Sequence, residues 1–287
     1  MADSISIEHT TFGLMGPIVY TPTRVMPIHC VIFQIGERVI LLDSGFGTRE
    51  MLAPNSLLGD DVLWRVFPLI DVRLTALDRL KARGIKPGQV TDIVLTHMDY
   101  DHAGGVYDFP NAIVHVSKEE LDGFDSSRPR GAYRRYQISH ETKIKTYEST
   151  GERWFDLEVR SLQLASDFDA KLVPLPGHTL GHCGVAYREG GKWSLHAGDA
   201  YFDSRINFLE HVPSLPIEIG FQTNSEDRQA SLKKLRRLKA EHGAEINLFC
   251  THDQQEFVHW SSDRGKEDPI SGPFVNELPE TPEALRS

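Results

Sequence analysis

The chain has 287 residues, of which 40% are hydrophobic and 25% charged, and its formal net charge is -10 at pH 7. These proportions are ordinary for a globular protein that is large enough to bury a sizeable core. The acidic balance argues against nucleic acid as the main partner, because binding phosphate groups needs a basic face.

The first residues lack the features of a targeting segment. Residues 1–9 have no basic stretch followed by an apolar run, so no signal peptide is predicted. No apolar run is long enough to span a bilayer, so we expect no membrane contact. The cysteines, Cys30, Cys183 and Cys250, are odd in number and widely spaced, which favours buried free thiols over a disulfide scaffold. The sequence therefore predicts a cytoplasmic protein.

Near the start, two β-prone runs predict a hairpin. They cover residues 29–34 and 38–43 and are separated by a short segment containing glycine. Asp43 stands at the end of the second run, before Ser44 and Gly45. An aspartate in that position either forms a turn or supports a neighbouring site. Farther along, apolar positions from Val72 to Arg83 recur at helical spacing and predict an amphipathic helix.

The segment that follows the next strand is the most informative one. Residues 92–96 form an apolar β-prone run, and four potential metal ligands come directly after it: His97, Asp99, Asp101 and His102. A strand that opens into a glycine-containing turn leaves side chains exposed on a rigid support. Without a cation, two carboxylates and two imidazoles this close would repel one another or compete for protons. Imidazole and carboxylate together suit zinc, iron or manganese.

The middle of the chain changes character. Residues 112–116 predict a strand in which His115 has a structural role, and Ser117 is expected to cap a short helix. Residues 123–160 are rich in arginine and aromatic side chains, and we interpret them as an insertion near the mouth of a pocket. Their arginines would attract an anionic substrate or would simply form a solvated surface.

The second half again alternates strands with a helix. Strands are predicted at residues 171–175, 184–188 and 192–197, with a hairpin turn between the last two. Residues 225–242 predict a helix capped by Ser225, with its basic residues on a solvated face. After a last strand at residues 247–250, the chain is expected to form one domain to residue 258, followed by an irregular tail over residues 259–287.

Five fragments of the chain place a polar or ligand side chain after a strand-like run. They cover residues 41–45, 97–105, 174–182, 194–199 and 247–253. In this order they resemble the motifs of the metallo-β-lactamase superfamily, and the resemblance covers roughly residues 29–255. It implies an α/β fold, an αββα sandwich of two mixed β-sheets flanked by helices, with metals at one edge. Pattern alone predicts only a mixture of α and β.

The resemblance also implies a set of metal ligands. The family pattern is His-x-His-x-Asp-His, and here Asp99 stands where the family has its second histidine. Carried over by position, the ligands of one metal are His97, Asp99 and His178, those of the other are Asp101, His102 and His252, and Asp199 bridges both. Zinc is the expected metal, and the carboxylate at Asp99 makes the first site more favourable for iron or manganese than histidine would. Asp43 is expected to support the ligands rather than bind metal.

The expected chemistry is hydrolysis. Two divalent ions lower the pKa of bound water, and a metal-bridging hydroxide would attack a carbonyl carbon while Asp101 relays the proton. The segment from Phe249 to Glu256 resembles the last motif of N-acyl homoserine lactonases, which favours a small lactone or ester as the substrate. Those enzymes carry a tyrosine three residues after the bridging aspartate. Here Tyr201 is two residues after it and is the catalytic candidate, while Phe202 occupies the third place.

Several alternatives stay open at this point. A thioesterase of the glyoxalase II type has motifs similar to residues 176–182 and 197–202, and a mononuclear iron persulfide dioxygenase has the same fold. A metal-bound sensor without catalysis is also compatible with the scaffold. The sequence does not decide between a monomer and a homodimer.

Overall fold

The computed structural model describes residues 5–16, 25–126, 130–164, 168–207 and 216–261. Within them, the strands form two sheets and one short hairpin. The first sheet contains, as neighbours in this order, β1 (Ile5–Met15), β2 (Met26–Ile35), β3 (Arg38–Leu42), β4 (Val90–Val94), β5 (Ile113–Ser117) and β6 (Lys143–Tyr147). The hairpin pairs β7 (Arg153–Trp154) with β8 (Leu157–Glu158). The second sheet contains, again as neighbours, β9 (Arg160–Ser161), β10 (Ala170–Pro174), β11 (Cys183–Glu189), β12 (Lys192–His196) and β13 (Ile246–Phe249).

Both sheets are mixed, and helices cover their outer faces. In the first sheet β1, β2 and β3 are antiparallel, whereas β3 to β6 are parallel. In the second sheet β9 to β12 are antiparallel, and β13 joins β12 in parallel. The α-helices are α1 (Thr48–Leu52), α2 (Pro54–Leu57), α3 (Asp60–Val66), α4 (Ala76–Ala82), α5 (Tyr100–Ala103), α6 (Lys118–Asp125), α7 (Ser204–Asn207), α8 (Pro216–Phe221), α9 (Ser225–His242) and α10 (Gln254–Trp260).

Strand β3 shows why the two sheets stack. Successive side chains of a strand point to opposite faces, so Ile40 and Leu42 lie in the core between the sheets, together with Val185 from β11. Val39 and Leu41 point the other way and pack against apolar residues of α3 and α4. Strand β3 is thus buried on both faces, by the second sheet on one side and by helices on the other. This layering confirms the predicted αββα sandwich.

Helix α9 covers the outer face of the second sheet. Its Leu232, Leu235 and Leu238 recur at three-residue spacing and are buried against that sheet. The predicted range is confirmed, but the predicted cap is wrong. Asn224 is the N-cap, because its Oδ1 accepts hydrogen bonds from the backbone N–H groups of the next turn, whereas Ser225 is already the first helical residue.

Two other boundaries differ from the prediction. The helix expected from Val72 to Arg83 is divided into a 3-10 turn over Val72–Leu74 and α4, because Thr75 acts as a cap between them. Its hydroxyl donates to the carbonyl of Val72 and accepts from the backbone N–H of Asp78. The irregular tail expected from residue 259 is contradicted at its start, since α10 continues to Trp260 and buries Phe257 completely. Residues 262–287 lie outside the described ranges.

The predicted insertion is built from several elements rather than from one loop. Residues 143–161 contribute β6, β7, β8 and β9, which belong to the sheets and the hairpin. The stretch around Arg130 to Tyr133 approaches the ligand side chains described below, and the backbone N–H of Tyr100 donates to the carbonyl of Ala132 at 3.1 Å. Residues 127–129 are outside the described ranges.

The remaining sequence expectations concern single buried residues. All three cysteines are free and buried, as predicted. His115 lies between the Asp92 carboxylate and the Tyr147 hydroxyl, each at 2.8 Å, which confirms its structural role. No helix in the described part of the chain combines the length and the apolar character needed to cross a membrane.

Candidate metal centre

The seven predicted ligand side chains converge at one edge of the sandwich. They come from the segments that follow four strands: β4, β10, β12 and β13. His97 and Asp99 lie in the loop after β4, and Asp101 and His102 lie in the first turns of α5, which Asp99 precedes. His178, Asp199 and His252 follow the ends of β10, β12 and β13, and all seven side chains are almost fully buried.

The side chains form two groups around a shared carboxylate. The first ligand group consists of His97, Asp99 and His178, and Asp99 Oδ2 lies 3.7 Å from His97 Nε2 and 3.1 Å from His178 Nε2. The second ligand group consists of Asp101, His102 and His252. In it, Asp101 Oδ2 lies 3.7 Å from His102 Nε2 and 3.6 Å from His252 Nε2.

Asp199 lies between the two groups. Its Oδ1 is 3.3 Å from Nε2 of His102 in the second ligand group. Its Oδ2 is 3.5 Å from Nε2 of His178 in the first ligand group and 3.2 Å from Nε2 of His252 in the second. One carboxylate therefore reaches both groups.

The arrangement fits divalent metal ions. Zinc holds nitrogen and oxygen ligands at about 2.0–2.2 Å in a tetrahedron, which places the ligand atoms about 3.3–3.5 Å from one another. Within the described residues, three buried atoms of the cluster have no hydrogen-bond partner: His97 Nε2, His102 Nε2 and Asp199 Oδ1. Such atoms are costly to bury unless something else satisfies them. A bound cation would do so.

Hydrogen bonds on the far side of the rings turn the ligand nitrogens toward the cluster. His252 Nδ1 donates to the carbonyl of Pro27 at 2.9 Å, and His102 Nδ1 lies 2.8 Å from Asp43 Oδ2. Because a carbonyl or carboxylate oxygen only accepts, the proton belongs on Nδ1 and the Nε2 lone pair faces the cluster. Asp43 also accepts from the backbone and the hydroxyl of Thr96, at 2.8 Å and 2.9 Å. The supporting role expected for Asp43 matches this geometry.

Burial and charge shift the pKa values of the cluster in opposite directions. Burial, assisted by the nearby His102, lowers the pKa of His97 well below its usual value. Burial also opposes the charged form of His102, but the carboxylates of Asp199, Asp101 and Asp43 outweigh it and raise the pKa of His102. The pKa of Asp101 is raised, mainly by burial. Burial therefore opposes each charge in the cluster, and contacts between opposite charges offset it.

Arg130 contacts Asp99, the residue that departs from the family pattern. Its guanidinium contacts both carboxylate oxygens of Asp99 at 3.0–3.1 Å. Burial raises the pKa of Asp99, but the Arg130 charge outweighs it and lowers that pKa overall. Sequence reasoning missed this pair, because the two residues are 31 positions apart. The available signal was chemical: an acid in place of a histidine in a buried cluster requires a compensating charge.

Two further supporting residues were also missed. The buried carboxylate of Glu120 accepts hydrogen bonds from the Met98 backbone, the Tyr133 hydroxyl and the Thr179 hydroxyl, so it joins the two loops that carry the first ligand group. His182 Nε2 accepts from the backbone N–H of Asp199 at 2.9 Å. Gly198 makes this contact possible, since its φ is +55° and a Cβ there would lie 2.5 Å from the His182 ring.

The structure places Tyr201 away from the ligand cluster, contrary to the catalytic role expected from the sequence. Tyr201 is fully buried among the residues that pack against α9, and its hydroxyl donates to the Glu256 carboxylate at 3.0 Å. The next residue, Phe202, lines the cleft instead and packs against the rings of His178 and His252. The turn after β12 thus directs Phe202 toward the cleft, where the sequence led us to expect Tyr201.

The cleft beside the cluster is mostly apolar. It is lined on one side by five side chains of the cluster: Asp99, Asp101, Asp199, His178 and His252. The other walls come from apolar and aromatic side chains: Met15, Met26, Val66, Tyr100, Phe202 and Phe221. Few polar groups that converge in an apolar cleft are typical of a small-molecule site.

Comparison with known proteins places this geometry in a family. A family model described as the metallo-beta-lactamase superfamily matches residues 23–245. The chain is 33% identical over 264 residues to the "Probable metallo-hydrolase Rv2300c" of Mycobacterium tuberculosis, covering 87% of this chain and 80% of that protein. It is 27% identical over 243 residues to the N-acyl homoserine lactonase AttM of Agrobacterium fabrum, covering 82% and 84% respectively.

A solved structure shares the fold. It is an N-acyl homoserine lactone hydrolase with the product N-hexanoyl-L-homoserine bound at its catalytic metal center. The TM-score is 0.69 at 20% identity, and the match covers 90% of this chain and 97% of that chain. At this level of identity the likeness carries the fold, and the activity has to be argued from the residues.

Proposed function

The chain belongs to the metallo-β-lactamase superfamily, and on that premise we propose that it is a dinuclear metal-dependent hydrolase that opens a small lactone ring. The family match and the mycobacterial relative identify the chain as a metallo-hydrolase of this superfamily. Our proposal of a dinuclear lactonase rests on one observation above all. Two buried ligand groups, each with two histidines and one aspartate, share the carboxylate of Asp199.

In this proposal the first ligand group would hold one ion and the second ligand group the other, and the carboxylate of Asp199 would be available to both. Zinc is the proposed metal, with iron or manganese as alternatives, because the donor set is made of imidazole and carboxylate. Divalent ions bound there would lower the pKa of a bound water molecule and would polarise a carbonyl oxygen. The chain itself contributes the orientation of the ligands, through Asp43, Thr96 and the Pro27 carbonyl.

The reaction is addition of water across an ester bond. The water oxygen joins the carbonyl carbon, the bond from that carbon to the ring oxygen breaks, and the ring oxygen leaves with a proton. Asp101 is the group we assign to this proton transfer, because its carboxylate lines the cleft beside the other ligand side chains. Tyr201 has no part in the proposal, since its hydroxyl contacts Glu256 behind the cleft.

The cleft favours a small organic ester with an apolar substituent. The lining of the cleft includes five apolar side chains: Met15, Met26, Val66, Phe202 and Phe221. Burying an apolar substituent between these side chains is favourable by about 25 cal/mol for each Å² removed from water. Relatives named as N-acyl homoserine lactonases, such as AttM, make a lactone the preferred ester.

The test combines a metal determination with a substrate panel. Purified protein should contain two divalent ions per chain and should hydrolyse lactones that carry an acyl or alkyl substituent. Two ions with cleavage of thioesters but not of lactones would replace the lactonase proposal by a glyoxalase II-type activity. One iron per chain with uptake of oxygen would replace hydrolysis by persulfide oxidation.

A further inference from the structure

The two ligand groups differ in the charge that lies directly behind them. Behind the second ligand group, the carboxylate of Asp43 lies 2.8 Å from His102 Nδ1. Behind the first ligand group, the guanidinium of Arg130 contacts both oxygens of Asp99. One group is therefore backed by an anion and the other by a cation, while Asp199 lies between them.

We propose that Arg130 makes the two metal positions unequal, so that the first ligand group binds its ion more weakly, and releases it more readily, than the second ligand group does. This inference rests on the proposed two-ion site. It assigns to Arg130 the role of a positioning residue, which acts on the metal through the Asp99 carboxylate.

The two ligand groups carry different net charges. In the first ligand group the single carboxylate, Asp99, is offset by Arg130, so the group contributes no net charge of its own. In the second ligand group the carboxylate of Asp101 is not offset, and Asp43 adds a further negative charge behind His102. A cation held by Asp99 would lie within about 5 Å of the guanidinium, and repulsion at that distance is weakly screened in a buried site.

Arg130 is fixed in place, so its charge remains when an ion binds. Its Nη1 donates to the carbonyl of His178 at 3.1 Å and to the hydroxyl of Thr223 at 3.2 Å. Only 14% of its side chain is exposed. The guanidinium is thus held by both loops that carry the first ligand group and by the segment before α9.

Glu120 is a further charged group on this side, and it does not contact the Asp99 carboxylate in the described part of the chain. Its carboxylate accepts three hydrogen bonds, from the Met98 backbone and from the hydroxyls of Tyr133 and Thr179. Arg130 is the charged side chain in direct contact with the Asp99 carboxylate, so it dominates the field at that ligand.

Metal affinity tests the inference directly. Zinc-loaded full-length protein is titrated with a chromophoric chelator, and the zinc transferred is measured at each step. The wild type should lose its two ions in two steps whose apparent Kd values differ at least tenfold. Arg130→Gln, which removes the charge but keeps an amide donor, should tighten the weaker step at least tenfold and change the stronger step less than threefold.

Two further variants separate charge from orientation. Arg130→Lys keeps the charge but loses the planar fork, and it should leave the weaker Kd within threefold of the wild type. Arg135→Gln removes an exposed arginine of the same segment, whose guanidinium contacts the Ser126 carbonyl, and should change neither step. As a second readout, added zinc should raise the Tm of Arg130→Gln more than that of the wild type.

The outcomes distinguish the inference from the proposed function. Two equal zinc affinities in the wild type would overturn the inference and leave the two-ion site intact. So would an equal loss of affinity in Arg130→Gln and Arg130→Lys, since Arg130 would then only orient Asp99. A protein that retains no zinc or other divalent ion would contradict the proposed function itself.

Discussion

The carboxylate of Asp43 lies 2.8 Å from Nδ1 of His102, and it is oriented by two hydrogen bonds from Thr96. Asp43 itself has a φ of 57°, a left-handed conformation that aspartate and asparagine adopt more readily than most residues. Strand β3 is therefore followed by a residue that can turn sharply and direct its side chain to the ligand cluster. Through this contact Asp43, which lies outside both ligand groups, orients the imidazole of His102 in the second ligand group.

Asp43→Asn should lower metal affinity without unfolding the protein. Asparagine accepts the same backbone conformation, but it removes the negative charge behind His102. Loss of such a supporting contact typically costs about 10–100-fold in metal affinity or activity. Zinc affinity by chelator competition and kcat/KM with a lactone would measure it. Asp108→Asn, at a half-buried carboxylate that accepts two hydrogen bonds from Thr48, is the matched control and should leave both quantities unchanged.

Metal stoichiometry should depend on which ligand is removed. Asp199→Ala removes the carboxylate that reaches both ligand groups, so we expect it to lose more metal than His252→Ala, which affects the second ligand group alone. His102→Ala should likewise lower both metal content and turnover. Elemental analysis of the purified variants gives the ions per chain. His115→Gln replaces a buried histidine whose ring contacts Asp92 and Tyr147 instead of the cluster, and it should keep the wild-type metal content. Full activity in Asp199→Ala would contradict the proposed mechanism.

Much of the fold could be predicted from local sequence patterns. The β2–β3 hairpin follows from two β-prone runs around a glycine-containing segment, and helix α9 follows from apolar residues at three-residue spacing; both patterns are set by residues close together in the chain. The histidines and aspartates from His97 to His102 were found because their density is unusual after a strand. Patterns of this kind are local, so they do not depend on contacts with distant parts of the chain.

What could not be predicted depends on contacts between distant segments or on the phase of a turn. The pair of Arg130 and Asp99 forms only once the chain has folded across 31 residues. Whether Tyr201 or Phe202 faces the cleft depends on the turn at Gly198, because a left-handed residue resets which side the next side chains face. Helix α10 was missed since its single fully buried residue, Phe257, gives no periodic signal.

Tyr201→Phe should affect stability rather than catalysis. The variant loses the hydrogen bond to Glu256 in a buried environment, which typically lowers the free energy of unfolding by about 1–3 kcal/mol. Because the hydroxyl lies outside the cleft, metal content and kcat/KM should stay within about threefold of the wild type. Denaturant unfolding and lactone kinetics would measure the two effects. A 100-fold loss of kcat with unchanged stability would restore the catalytic role expected from the sequence.

Phe202→Ala provides the contrasting case. This side chain lines the cleft and packs against His178 and His252, with ring centroids 6.0 Å and 5.1 Å apart. Its removal should raise KM for lactones with an apolar substituent by about tenfold, since about 1–3 kcal/mol of apolar contact is lost. A lactone without a substituent should be affected less. An equal rise in KM for both lactones would show that the substituent does not bind against Phe202.

Glu256 should make the stability of the protein depend on pH. Burial, with the nearby Asp253 carboxylate, raises the pKa of Glu256 from its ordinary value of 4.5 to about 8. A folded-state pKa above the unfolded one means that the stability contributed by Glu256 is fully present below about pH 4.5 and is lost as the pH rises toward 8.

Glu256→Gln cannot ionise, yet its amide oxygen can still accept the hydrogen bond from the Cys250 backbone. From pH 5.5 to pH 8.5 the variant should therefore gain about 3 kcal/mol in unfolding free energy relative to the wild type. Denaturant titrations of both proteins at the two pH values measure this difference, and contributions from the metal ligands cancel because both proteins share them. A difference that stays constant with pH would show that Glu256 is ionised throughout, and that its contacts with Tyr201 and Cys250 are those of a carboxylate.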